Sequence, residues 1–213
     1  MQELERTVAE LVRLVERRYH GKYRGLVVDN ADPEQLGRLK LRVPSVLGDK
    51  VVTGWALACV PYGGMGDQGL LAVPDVGAGV WVEFEEGDLE FPVWVGTFWS
   101  KPGGRSELPK ANGADGKESS IPDPPTRKIL KTAKGHTIQI EDADGRDLIL
   151  IHEATNGHTV ALDAAGIRIT DGSGNSVKMT AHSFTLHSAT AFTIHAPGQA
   201  VEIVAASVDF TKG

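Results

Sequence analysis

Cysteine is almost missing from this chain of 213 residues: Cys59 is its only one, so no intrachain disulfide can staple the fold. Its setting between Ala58 and Val60 predicts a small core residue rather than a reactive thiol. Long apolar runs are absent too. No stretch approaches the ~18 apolar residues that a membrane span requires. The N-terminus is charged and lacks an apolar run, so no signal peptide is expected and the product is expected to be made in the cytoplasm. Positive charge is not in excess. The formal net charge is −6, which argues against a general nucleic-acid surface. Nucleotide and hydrolase signatures are missing as well: there is no Walker loop, no dinucleotide fingerprint and no Gly-x-Ser-x-Gly elbow. No enzyme and no cofactor are expected.

What the chain does have is glycine, 25 residues of it, and short alternating runs. The alternation of Arg38-Leu-Lys-Leu-Arg-Val43 at period two reads as a half-buried strand, and Pro44 stops it. Gly25 to Asn30, Gly54 to Val60, Val80 to Phe84 and Pro92 to Gly96 read as further strands, with Leu70 to Val73 short and extended. Glu86-Gly-Asp88 reads as a hairpin turn. Short strands separated by turns over Gly25 to Trp99 predict a small closed barrel. Trp55, Trp81, Trp94 and Trp99 alternate with Val, Leu and Phe rather than with Lys or Arg. That pattern favours barrel core or packing between subunits over stacking platforms for single-stranded nucleic acid.

Before the barrel, residues 1–20 read as a helix free of Gly and Pro until Gly21. Leu4, Val8, Leu11 and Val15 form an a/d seam, widened by Val12 and Leu14. So short a helix is not stable alone in water. It must pack on its own barrel, on copies of itself or on a partner. After the barrel (21–99), residues 100–131 lose all periodicity and carry several prolines and glycines, so a linker is expected.

From 132 to 213 a strand-and-turn repeat takes over. Apolar doublets recur at Ile138/Ile140, Ile149/Ile151, Val160/Leu162, Ile167/Ile169, Val177/Met179, Phe184/Leu186, Phe192/Ile194, Val201/Ile203 and Val208/Phe210. Ser183-Phe-Thr-Leu-His187 even repeats as Ala191-Phe-Thr-Ile-His195. Turn residues such as Asp144-Gly145 and Asn156-Gly157 fall between the doublets. A short fixed period of strand and turn predicts a β-helix or β-prism. Each repeat offers two inward apolar residues, so one chain forms a thin strip with two unpaired edges. Three chains, each giving a strand per layer, close a triangular prism. The trimer core is then expected at Phe184, Leu186, Phe192, Ile194, Val201 and Ile203. Seven histidines occur but no His-x-His, and alternation turns His187 and His195 away from the apolar face, so no metal site is expected. Asp142-Ala-Asp-Gly-Arg-Asp147 is a fragment of a calcium loop at most, and a plain hairpin turn is expected. Glu85, Glu86 and Asp88 read as a solvated turn rather than an acid/base pair.

Three motifs carry a family resemblance. Asp-Pro-Glu-x-x-Gly-Arg-x-Lys-x-Arg-Val-Pro (Asp32 to Pro44), Pro-x-Val-Gly-x-x-Val-x-Val-x-Phe-Glu-x-Gly-Asp (Pro74 to Asp88) and Pro-Val-x-x-Gly (Pro92 to Gly96) resemble the OB-fold domain of baseplate spike proteins. That family includes the gpV-type spikes of contractile phage tails and the VgrG spikes of type VI secretion. Lys134-Gly-His-Thr-Ile-Gln-Ile140 is similar to the entry into the needle of VgrG-like spikes. The resemblance implies an all-β chain: an N-terminal helix, an OB-fold barrel and an intertwined trimeric β-helix. It implies a non-enzymatic homotrimer at the centre of a phage tail or tail-like particle, piercing the target envelope and meeting the membrane only transiently. A hub or tube protein would be met at the N-terminal end, through Leu4, Val8, Leu11 and Val15. A PAAR-type tip protein would sit on the apolar layer left open at Val208, Asp209, Phe210 and Thr211. The linker is too short to hold the lysozyme that some phage relatives insert. Two rivals remain: a single-stranded nucleic-acid-binding OB protein, and a β-helical polysaccharide enzyme, for which the short repeat leaves no groove.

Overall fold

A computed structural model describes residues 2–16, 18–120 and 124–211. The chain forms two units that divide between Leu108 and Pro109.

The first unit opens with helix α1 (Gln2–Glu16). Its described seam residues Leu4, Val8 and Val12 are exposed; the side chains of Leu11, Leu14 and Val15 lie outside the described residues. Five strands follow: β1 (Tyr23–Asp29), β2 (Leu39–Arg42), β3 (Val52–Ala58), β4 (Gly79–Phe84) and β5 (Pro92–Thr97). They close a barrel in the order β1-β2-β3-β5-β4. All neighbours are antiparallel except β3 and β5, which run parallel. Alternation decides which side chains point inward. Val27, Leu39, Leu41, Val43, Ala56, Val80, Val82, Phe84 and Trp94 form the core. Pro44 ends β2 as expected and then opens a short helix, α2 (Pro44–Leu47), where its fixed φ suits the first helical position.

Two expectations need correction here. Leu70 to Val73 is loop rather than strand, and Leu71 is 85% exposed. The glycine-rich segment closes on itself, with the Leu70 N–H donating to the Tyr62 carbonyl at 3.0 Å, so no barrel neighbour is left for it. Cys59 is exposed, not core. It follows the last residue of β3; its N–H still donates to the Trp94 carbonyl at 2.9 Å, while its side chain falls outside the barrel.

The second unit begins earlier than the composition suggests. Residues 100–131 are not one linker. Ala111–Asn112 (β6) pairs antiparallel with Glu118–Ser119 (β7), and Arg127–Lys131 (β8) is already the first strand of the large sheet. Prolines flank these strands without interrupting them, which is why composition alone hides them. The sheet continues through β9 (Thr137–Glu141), β10 (Leu148–Glu153), β11 (His158–Asp163), β12 (Gly166–Thr170), β13 (Ser176–Met179) and β14 (Phe184–His187). The order is sequential and every pair is antiparallel, so the single chain runs as a meander. No strand is assigned among the described residues after His187.

Candidate functional site

The register of the meander gathers the apolar doublets into two straight rows. One row runs Lys128, Ile140, Ile149, Leu162, Ile167, Met179, Phe184 across the seven strands. The other runs Leu130, Ile138, Ile151, Val160, Ile169, Val177, Leu186. Both lie on one face, because residues two apart along a strand share a side. Every member but Lys128 is apolar. Ile138, Ile140, Ile149, Ile151, Leu162, Ile167, Ile169, Phe184 and Leu186 are all exposed in the single chain. A face this apolar and this long marks a surface that another protein chain covers. Lys128 stands at the outer edge of the first row and pairs with Asp142 at 2.7 Å.

The opposite face is built differently. There the β6–β7 hairpin lies over the first strands of the sheet as a clasp. Gln139 is fully buried; it donates from Nε2 to the Asn112 carbonyl at 2.7 Å and accepts the Asn112 N–H at Oε1 at 2.8 Å. Arg127 bonds Glu141 and donates to the Ser119 hydroxyl at 2.7 Å. Burial pushes the Glu141 carboxyl up, but hydrogen bonds from Thr126, Arg127 and the Ala143 N–H together outweigh it and hold the group below its usual value. Lys131 reaches the Lys110 carbonyl at 3.2 Å and Glu118 at 3.1 Å. Under the clasp, Leu148, Leu150 and Ala161 pack with Ala114. None of these contacts is visible in sequence, since they join residues that are not neighbours along the chain.

Two histidines and an asparagine staple turns at one end of the strands. His136 accepts the Ala154 N–H at Nδ1 at 3.3 Å, His158 accepts the Gly172 N–H at 3.2 Å, and Asn175 takes the same part with Ala189 at 2.9 Å. Asp142 to Asp147 join β9 to β10 as a hairpin connection. Among the described residues, His, Cys, Asp and Glu side chains form no cluster of three or more suited to a metal ion.

The remaining expected residues are placed as follows. Phe184 and Leu186 belong to the apolar rows. Phe192, Ile194, Val201 and Ile203 lie beyond β14 and are exposed, as are Val208, Asp209, Phe210 and Thr211. Of the four tryptophans, only Trp94 is core; its indole N–H donates to the Gly37 carbonyl at 3.1 Å. Lys40 Nζ lies 4.9 Å from the centre of the Trp55 ring, and the Arg24 guanidinium 5.5 Å from that of Trp81. Adjacent strands thus bring cations to both indoles although the sequence does not alternate them. No helix among the described residues is long and apolar enough to cross a membrane.

A small closed barrel followed by a sheet with one bare apolar face defines a structural subunit that is finished only by association with other chains. Residues 23–99 match the type VI secretion system/phage-baseplate injector OB domain, and residues 128–193 match the phage baseplate V C-terminal trimerisation domain. A search of curated proteins found no match to the chain. The chain belongs to the baseplate spike proteins of the gpV and VgrG type. Its role is that of a structural baseplate component of a phage-tail particle, and the trimerisation domain supports a homotrimer.

Proposed function

We propose that this chain is the central spike of a contractile baseplate, in which three copies of the β8–β14 sheet bring their apolar rows together around one axis. The observation that carries this reading is the pair of cross-strand rows, which a single chain leaves in water. Each large aliphatic side chain buried there contributes about 1.5–3 kcal/mol. The doublets from Phe192 to Phe210 would add further layers once neighbouring chains supply strand edges. The barrel end, with the seam Leu4, Val8, Leu11 and Val15, would meet the hub or tube. The C-terminal layer around Val208, Asp209, Phe210 and Thr211 would take a PAAR-type tip protein, one per trimer. Piercing of the envelope requires no catalysis by this chain; contraction supplies the work.

Sedimentation of the purified chain tests the core of the reading. A trimer is expected, and a monomer at micromolar concentration overturns it. The tip assignment is tested by deleting residues 207–213 and measuring capture of a PAAR-type protein. Undiminished capture by the truncated trimer would place that contact elsewhere.

A further inference from the structure

A ring of three copies cannot use a self-complementary patch. In cyclic threefold symmetry a contact away from the axis joins two different surfaces of the same protein, one from each neighbour. The barrel carries two such surfaces. On its outer wall, Arg24 of β1 and Lys40 and Arg42 of β2 have no carboxylate partner among the described residues, although the chain as a whole is acidic. Arg24 lies against the Trp81 and Phe98 rings, and Lys40 against the Trp55 ring. Arg42 Nε is shielded from water and has no acceptor among the described residues. Exposed Leu26 and Val52 flank Arg42, as its direct partners on β1 and β3. The second surface is the β4–β5 connection. Lys22 and Arg18 neutralise Glu83 and Asp88, but Glu85, Glu86 and Glu90 are exposed and make no ion pair among the described residues. Exposed Phe91 adjoins them. Gly87 and Glu86 both take positive φ, which turns the connection sharply and fixes these carboxylates at its tip.

We infer that the barrels of the trimer contact one another head to tail, the Arg24–Lys40–Arg42 strip of one copy receiving the Glu85–Glu86–Glu90 tip of the next. This rests on the trimer proposed above. Charge complementarity sets the pairing, since isolated like-charged patches facing each other would repel. An acidic copy of the same protein is the occupant, not a nucleic acid: the indoles beside the strip already carry cations on their faces.

Zero-length carbodiimide coupling joins amines to carboxylates only where they touch. Applied to the wild-type chain, it should yield covalent dimers and trimers whose linked peptides join Lys40 to the segment 85–90. Lys40→Arg keeps the charge and removes the reactive amine, so those products should vanish while the chain still sediments as a trimer. Lys40→Glu should lower the melting temperature of the assembled barrel, and adding Glu90→Lys should restore it. A wild-type chain that sediments as a trimer yet yields no link from Lys40 to the segment 85–90 overturns this inference alone. Retention of a single-stranded oligonucleotide by the strip, abolished in Lys40→Glu, would also overturn it. A monomer would instead overturn the proposed function.

Discussion

Asp32 shows how one side chain organises a turn. Its carboxylate accepts the N–H groups of Glu34, Leu36 and Arg38 at 3.1, 2.8 and 3.2 Å, and the Arg38 guanidinium closes on it at 2.7 Å. The Arg38 hydrogen bonds, followed by those from the backbone, hold the carboxyl far below the usual aspartate range. A carboxyl depressed in the folded state contributes stability above its unfolded pKa and loses it as pH falls through the folded value. Asp32→Asn is therefore expected to lower the melting temperature at neutral pH. Wild type and variant should then converge in strong acid, below the usual aspartate range. A constant difference across that range would remove the carboxylate from the account. Gly87 is the second decisive residue. Its φ is +75°, and a Cβ there would lie 2.8 Å from the Tyr19 nitrogen, whose N–H donates to the Gly87 carbonyl. Gly87→Ala should cost about 1–3 kcal/mol in denaturant titration.

At the scale of the element, the clasp is the part that composition concealed. Residues 109–120 look like linker because they are rich in Gly and charged residues, yet Asn112 and Gln139 exchange two hydrogen bonds across 27 positions. No local pattern announces such a pair. The strand alternates Thr137, Gln139 and Glu141 against Ile138 and Ile140, so the sequence gives Gln139 a polar face and only its burial shows that it needs a partner. Gln139→Ala leaves the buried Asn112 N–H and carbonyl without partners, at a cost of about 1–3 kcal/mol. Hydrogen exchange in the clasp should speed up in this variant while exchange in the barrel stays unchanged. Uniform exchange in both would show that the clasp is not held by this pair. Gly116 belongs to the same element: a Cβ there would sit 2.7 Å from the His152 ring, so the clasp approaches the sheet closely only because the side chain is missing.

For the whole molecule, the apolar rows decide the state of assembly. Ile151 lies near the middle of its row, between Ile138 and Val160. Ile151→Asp should abolish the trimer, because a charge would enter the same dry layer three times. Phe192→Asp tests whether the layers continue beyond β14. A trimer of unchanged melting temperature in that variant would leave Phe192 outside the core. Sedimentation and thermal melting of both variants beside the wild type read these outcomes.

The sequence by itself determined the strand periodicity, the position of the barrel and the apolar doublets. Each of these is a local alternation, and alternation survives without knowledge of neighbours. The resemblance in Asp32 to Pro44 and Pro74 to Asp88 then named the family. Tertiary structure alone decided who neighbours whom. It paired β3 with β5 in parallel, aligned the doublets into rows, set Lys40 beside Trp55 and seated the clasp on Gln139. It also moved Cys59 from expected core to surface, because a strand's end depends on where its partner stops. Register follows from hydrophobic pattern together with turn geometry, and the β3–β5 pairing and the clasp join segments far apart in the chain. Periodicity shows that a residue has an inside face; only the fold shows what lies against it.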